Sequence, residues 1–232
     1  MSKSTMLDHQ VYARTRIKIC GLTRADDVHA AVRAGADAIG LVFYPPSKRS
    51  MDLSRARTLR ELAPAFVDVV ALFVNPDRQY VQQVIDTVNP DLLQFHGEES
   101  PAFCASFGVR YMKGFRVGAP SLDSASGLAR YCAAYAQASA WLFDSYSGGY
   151  GGSGTSFEQS LLAEVRASEH ARPIVLAGGL SVANVPGSLS AVHPFAVDVS
   201  SGVEDAPGIK NPEKIRAFVQ AVANADKAMS AH

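Results

Sequence analysis

The feature that most constrains this chain is a repeated alternation. A short apolar run rich in β-branched residues is followed by a loop, then by a longer stretch whose apolar residues recur three and four positions apart. The short runs fall at residues 17–20, 38–43, 67–74, 92–95, 110–115, 141–144, 174–177 and 195–199. Amphipathic stretches separate them, among them 25–34, 54–62, 77–88 and 157–166, and 212–223 closes the chain. Runs such as Val69-Val70-Ala71-Leu72-Phe73-Val74 are apolar on both faces, as buried parallel strands must be. Eight βα units can form an open doubly wound sheet or a closed barrel. The open dinucleotide-binding type calls for GxGxxG after its first strand, where this chain has Cys20-Gly21-Leu22-Thr23. The expected fold is therefore a single-domain α/β structure, a (β/α)8 TIM barrel with a parallel eight-stranded β-barrel.

Local punctuation supports these boundaries. Thr23, Asp52 or Ser54, Pro76-Asp77, Ser100-Pro101 and Asn211-Pro212-Glu213 stand where helix starts are expected. Gly35 and Gly108 stand at helix ends. Residues 1–15 read as a flexible arm, 16–225 as the barrel and 226–232 as a C-terminal tail. At 232 residues and 47% hydrophobic the chain has material for one full core, and barrels of this size form single domains.

Charge excludes some function classes. The 22 Lys+Arg balance 22 Asp+Glu, so there is no basic field of the kind nucleic acid or an anionic membrane requires. Cys20, Cys104 and Cys132 are sparse, odd in number and free of CxxC spacing, which fits a reducing compartment. The first sixteen residues hold no continuous apolar run, so no secretory signal is expected there, and no apolar stretch reaches the roughly 18 residues of a membrane span. A cytoplasmic protein is expected, with oligomeric state open between monomer and homodimer.

In such barrels the chemistry sits at the C-terminal strand ends and the loops beyond them. That rule selects Cys20, Gln94, His96, Asp144 and the small-residue loops after the seventh and eighth strands. Ala177-Gly178-Gly179-Leu180 and Asp198-Val199-Ser200-Ser201-Gly202-Val203-Glu204 let backbone N–H groups approach an anion, so the implied ligand is a phosphate monoester. Cys20 can be a nucleophile, a general base or a small buried residue. Asp144 can be an acid/base group or an acceptor for the loop behind it. Arg49 can clamp a planar carboxylate or stand as an exposed loop charge. His96 has no second ligand at metal-binding spacing, so no metal is expected.

Taken in order, Lys18-Ile19-Cys20-Gly21-Leu22-Thr23, Gln94-Phe95-His96-Gly97, Asp144 with Gly151-Gly152-Ser153-Gly154, Ala177-Gly178-Gly179-Leu180 and Asp198 to Glu204 resemble phosphoribosylanthranilate isomerase. The likeness spans about residues 16 to 222. It implies a cofactor-free Amadori rearrangement in tryptophan biosynthesis, from N-(5-phosphoribosyl)anthranilate to 1-(2-carboxyphenylamino)-1-deoxyribulose 5-phosphate. It also implies Asp144 as the acid that opens the furanose, Cys20 as the thiolate base at C2, and Arg49 at the anthranilate. Gly178, Gly179, Ser200, Ser201 and Gly202 fall at the phosphate, and Gln94 and His96 line the cavity in a supporting role. Lys48, Thr155 and Gln159 depart from the family's usual proline, Lys or Gln, and Trp; none removes a catalytic group. The alternatives are another phosphate-binding barrel enzyme and a non-catalytic phosphosugar-binding barrel. The indole-glycerol-phosphate synthase pattern requires a catalytic Lys/Glu pair on its strands, and the histidine-pathway isomerase requires an Asp in place of Cys20.

Overall fold

The computed structural model describes residues 13–145 and 158–230. Among these, eight strands form a closed barrel: β1 (Arg16–Cys20), β2 (Ala38–Val42), β3 (Asp68–Phe73), β4 (Leu92–Phe95), β5 (Tyr111–Val117), β6 (Ala140–Ser145), β7 (Ile174–Leu176) and β8 (Ala196–Val199). All neighbours are parallel, and β1 closes the ring against β8 with Lys18 opposite Asp198. The crossovers are α1 (Ala25–Ala34), α2 (Leu53–Glu61), α3 (Arg78–Val88), α4 (Pro101–Ala105), α5 (Ala125–Ala133), α6 (Ala163–Ala167) and α7 (Val185–Val192). The chain continues through β9 (Glu204–Ala206) and β10 (Ile209–Lys210) into α8 (Pro212–Ser230).

Strand alternation sorts the barrel into two apolar compartments. Residues such as Ile17, Ile19, Ile39, Val69, Phe73, Phe95 and Phe143 point outward into a core shared with the helices. The opposite parity points into the barrel, where Val70, Met112, Ala140, Leu142, Val175, Ala177 and Ala196 fill the lower part. Further up, the same inward rows carry Lys18 and Cys20, Gln94 and His96, Asp144, and Asp198 and Ser200. The period of two along each strand thus converts a packed apolar floor into a polar mouth.

Helix starts follow their chemistry. Asp52, Asp77, Ser100 and Ser124 each accept a bond from a backbone N–H of the first turn. Asn211 Oδ1 does the same for α8 through the N–H groups of Glu213 and Lys214. The start of α1 differs from expectation. Its cap position is Arg24, whose side chain does not cap the helix, and the Thr23 hydroxyl instead donates to the Gly208 carbonyl at 2.5 Å. The 157–166 stretch is not one helix in its described part: a 3-10 turn at Gln159–Leu162 precedes the short α6.

The first and last described residues pack on the barrel. Helix α8 continues to Ser230, past the expected barrel boundary at 225, and Ala225 packs in the core. Thr15, at the end of the expected arm, is buried; its N–H and hydroxyl donate to the Asp226 carboxylate at 2.8 and 2.7 Å. Among the described residues no helix is long and apolar enough to cross a membrane. No group of three or more potential metal ligands occurs among them.

Candidate active site

One cavity opens at the C-terminal end of the barrel. Its wall includes Cys20 from β1, Arg49 from the loop after β2, Gln94 and His96 from β4 and its loop, and Asp144 from β6. Gly178 and Gly179 from the loop after β7, and Ser200 and Ser201 after β8, complete that set. Of the residues selected from sequence, Gly202 alone does not line it. A Cβ on Gly202 would come within 2.0 Å of the Leu180 carbonyl, so its role is to let loops seven and eight touch. The glycine run 151–154 and Thr155 lie outside the described residues.

Asp144 is held from two sides. Its Oδ1 accepts the Ser145 N–H at 2.8 Å, and its Oδ2 lies 3.3 Å from His96 Nε2. Gln94 Nε2 lies 3.3 Å from the other ring nitrogen of His96. With that amide donating to Nδ1, the ring proton sits on Nε2 and points at Asp144. The imidazole has room because Gly114 on β5 lacks a side chain: a Cβ there would stand 2.4 Å from Nδ1. Gln94 Oε1 is buried with no hydrogen-bond partner among the described residues, an unmet acceptor in the cavity wall.

Arg49 is ordered by Glu204. Its Nε and Nη2 donate to the two carboxylate oxygens at 2.8 and 2.7 Å, the parallel fork that a guanidinium and a carboxylate form best. Lys210 Nζ also donates to Glu204 at 2.8 Å and to the Ser200 carbonyl at 3.0 Å. Burial alone would raise the Glu204 carboxyl, but Arg49 and Lys210 hold it below its usual range. Burial lowers the Lys210 ammonium despite Glu204. The cluster ties loop two to the hairpin β9–β10 and fixes the plane of the Arg49 guanidinium.

Cys20 lies beside Lys18, whose ammonium donates to Asp198 at 2.9 Å. Both members of that ion pair are nearly sealed from solvent, at 5% and 9% side-chain exposure. Burial pushes the Cys20 thiol up, partly offset by Lys18. Burial likewise works against the Lys18 ammonium, yet Asp198 and Cys20 carry it above its ordinary value.

Lys18, Asp198, Glu204 and Lys210 escaped selection from sequence as site residues. Parity was the available signal for Lys18, since it stands two positions before Cys20 on the same strand face. A charge inside a strand buried on both faces must also have a partner. A second buried pair, Lys113 with Glu99 at 3.1 Å, lies outside the barrel interior and beneath the loop after β4. It is thus a Lys/Glu pair, but one that does not face the cavity.

A family model described as N-(5'-phosphoribosyl)anthranilate isomerase matches residues 17–221. The chain belongs to the phosphoribosylanthranilate isomerase family. It is 61% identical over 214 residues to the N-(5'-phosphoribosyl)anthranilate isomerase of Bordetella parapertussis, covering 92% of this chain and 98% of the relative. The crystal structure of phosphoribosyl anthranilate isomerase from Thermotoga maritima superposes with a TM-score of 0.81 at 35% identity, covering 90% of this chain and 99% of that one. Another structure of the isomerase holds reduced 1-(o-carboxyphenylamino)-1-deoxyribulose 5-phosphate; it superposes with a TM-score of 0.78 at 33% identity, over 90% of this chain and 99% of that one. The isomerase family's barrel is therefore this chain's barrel, and the sequence resemblance extends to the whole domain.

Proposed function

We propose that this chain performs the isomerisation of its family in tryptophan biosynthesis with Asp144 as general acid and Cys20 as general base. The activity itself follows from family membership; the assignment of roles is what the geometry supports. The observation that carries it is that one cavity, rimmed by the small residues of loops seven and eight, brings together a carboxyl group and a thiol from strands that do not neighbour one another.

The chemistry begins with two proton transfers. Asp144, carrying its proton, gives it to the ring oxygen of the phosphoribosyl group as the C1–O bond breaks; the anilino nitrogen supplies the electron pair and becomes an iminium. The Cys20 thiolate then takes the C2 proton. The C2–H electron pair forms a C1–C2 double bond and neutralises the iminium, leaving an enolamine that becomes the ketone as C1 takes the proton from Cys20 and the C2 hydroxyl releases one to Asp144, which restores both groups. The iminium acidifies C2–H enough for a modest base, so no covalent bond to sulfur is required.

The remaining residues bind and orient. Gly178, Gly179, Ser200 and Ser201 face the phosphate with backbone N–H groups and hydroxyls, and Gly202 keeps the two loops in contact. Arg49, its guanidinium held by Glu204, faces the anthranilate carboxylate. Gln94 offers its unmet acceptor to a substrate hydroxyl, and His96 orients Asp144. The partner is a phosphorylated small molecule, taken up in the cytoplasm by a monomer or homodimer.

Turnover and binding separate these roles. Cys20→Ala and Asp144→Ala should each lower turnover by about two orders of magnitude or more while a phosphorylated product analogue still binds by calorimetry. Near-normal turnover in either folded variant would remove that residue from its role.

A further inference from the structure

We propose that Lys18 is a positioning residue that makes Cys20 a competent base, its ammonium holding the thiolate while Asp198 holds the ammonium. The inference rests on the reading of Cys20 given above, but its test does not require turnover.

The arrangement follows from strand register. Lys18 and Cys20 share the inward face of β1, Lys18 pairs with Asp198 across to β8, and Cys20 pairs with Gly40 on β2. Gly40 is what lets the two groups converge. A Cβ at that position would lie 2.8 Å from Cys20 Sγ and 3.1 Å from Lys18 Nζ, so sulfur and ammonium border the same missing side chain. Lys18 does not border the cavity, whereas Cys20 and Asp198 do, so the ammonium acts on substrate chemistry only through its neighbours.

A buried ammonium fixed by one carboxylate is costly to desolvate and contributes little net stability compared with an apolar packing. Here it is poised beside the group that must ionise. The charged groups acting on the sulfur are Lys18 on β1, Asp198 on β8, Lys210 on β10 and Arg49 in the loop after β2. Lys18 favours the thiolate, with Lys210 as a weaker helper, and Asp198 opposes it. Removing Lys18 takes away the charge that favours the thiolate, whereas removing Asp198 takes away both an opposing charge and the partner that keeps the buried ammonium charged, so substitution of Lys18 is the deciding change.

The direct readout is the ultraviolet absorbance of the thiolate against pH, taken as the difference from a Cys20→Ser variant. Burial pushes Cys104 up to about 12 and Cys132 higher still, so both remain thiols over the working range. Lys18→Met should raise the midpoint of Cys20 ionisation by about one pH unit or more, a roughly tenfold smaller thiolate fraction below the midpoint. Lys18→Arg should stay near the original. The pH profile of kcat/KM should follow these displacements.

A Lys18→Met midpoint that does not rise in a folded protein would overturn the proposal. If Lys18→Met does not fold, Lys18→Gln, which keeps a polar group beside Asp198 and removes the charge, is read in the same way. If the thiolate midpoints move as expected while Cys20→Ala retains full turnover, the coupling stands and the role of Cys20 as base fails.

Discussion

Replacing Glu204 with Gln keeps the volume of the side chain and removes one charge at the junction of loop two and the β9–β10 hairpin. Three consequences can be worked out. Lys210 has no exposed side-chain surface, and in place of the carboxylate its ammonium keeps at most a neutral amide oxygen beside the Ser200 carbonyl at 3.0 Å and hydroxyl at 3.3 Å. Breaking a buried ion pair from one side costs about 3–5 kcal/mol. For a domain of this size each kcal/mol shifts Tm by roughly 2–4 °C, so the expected loss is roughly 6–20 °C. The second consequence is pH dependence. The Lys210 ammonium already lies below its ordinary value, and losing Glu204 lowers it further. The unfolded variant then binds more protons than the folded one, so its stability rises with pH and its deficit against the original protein narrows as pH rises toward the ordinary lysine range. The third is functional: Arg49 loses the two-oxygen fork that sets its plane, so KM should rise about tenfold, equivalent to about 1.4 kcal/mol, with kcat changed little. Thermal unfolding across pH and steady-state kinetics measure all three. A Tm within about 2 °C of the original, or a fall confined to kcat, would refute the reasoning.

Other outcomes follow from the same geometry. Arg49→Ala should raise KM by the equivalent of about 1–3 kcal/mol, read from initial rates; an unchanged KM would take Arg49 away from the substrate carboxylate. Lys113→Met leaves the buried Glu99 without its cation, costing about 3 kcal/mol or more in denaturant unfolding, and Lys113→Met/Glu99→Gln should recover part of that loss. Gly114→Ala drives a methyl group into the His96 imidazole and should cost about 1–3 kcal/mol in stability while lowering turnover, since the ring can no longer meet Asp144 in the same pose. A Gly114→Ala protein with ordinary kinetics would show that the His96–Asp144 contact is dispensable.

The barrel was legible because its strands are buried on both faces and their apolar runs stand out against amphipathic helices; the limits of β4 at 92 and 95 match the apolar run residue for residue. The helix starts at Asp52, Asp77 and Ser100 were legible for a local reason, a short polar side chain reaching its own first turn. Thr23 misled because its hydroxyl finds Gly208, a partner far along the chain that no local pattern shows. The β9–β10 hairpin was missed for a similar reason: its strands are short and largely polar, and the Arg49–Glu204–Lys210 cluster beside them joins residues far apart in the sequence. Cys20, Arg49, Gln94, His96 and Asp144 meet at one cavity because strand ends and the loops beyond them converge at the mouth of a barrel. Lys18 was passed over although it shares the inward face of β1 with Cys20, and its pairing with Asp198 arises only where the first and eighth strands meet.

The most direct test of the central claim is the loss of anthranilate-type fluorescence when the purified protein receives freshly generated phosphoribosylanthranilate, with Cys20→Ala and Asp144→Ala run beside it. Rapid loss is expected with the original chain, and loss slowed by about two orders of magnitude or more with each variant. Equal rates in all three would contradict the acid/base assignment. No loss in any of them, from folded protein that still binds a phosphosugar, would make the chain a binding barrel without the chemistry.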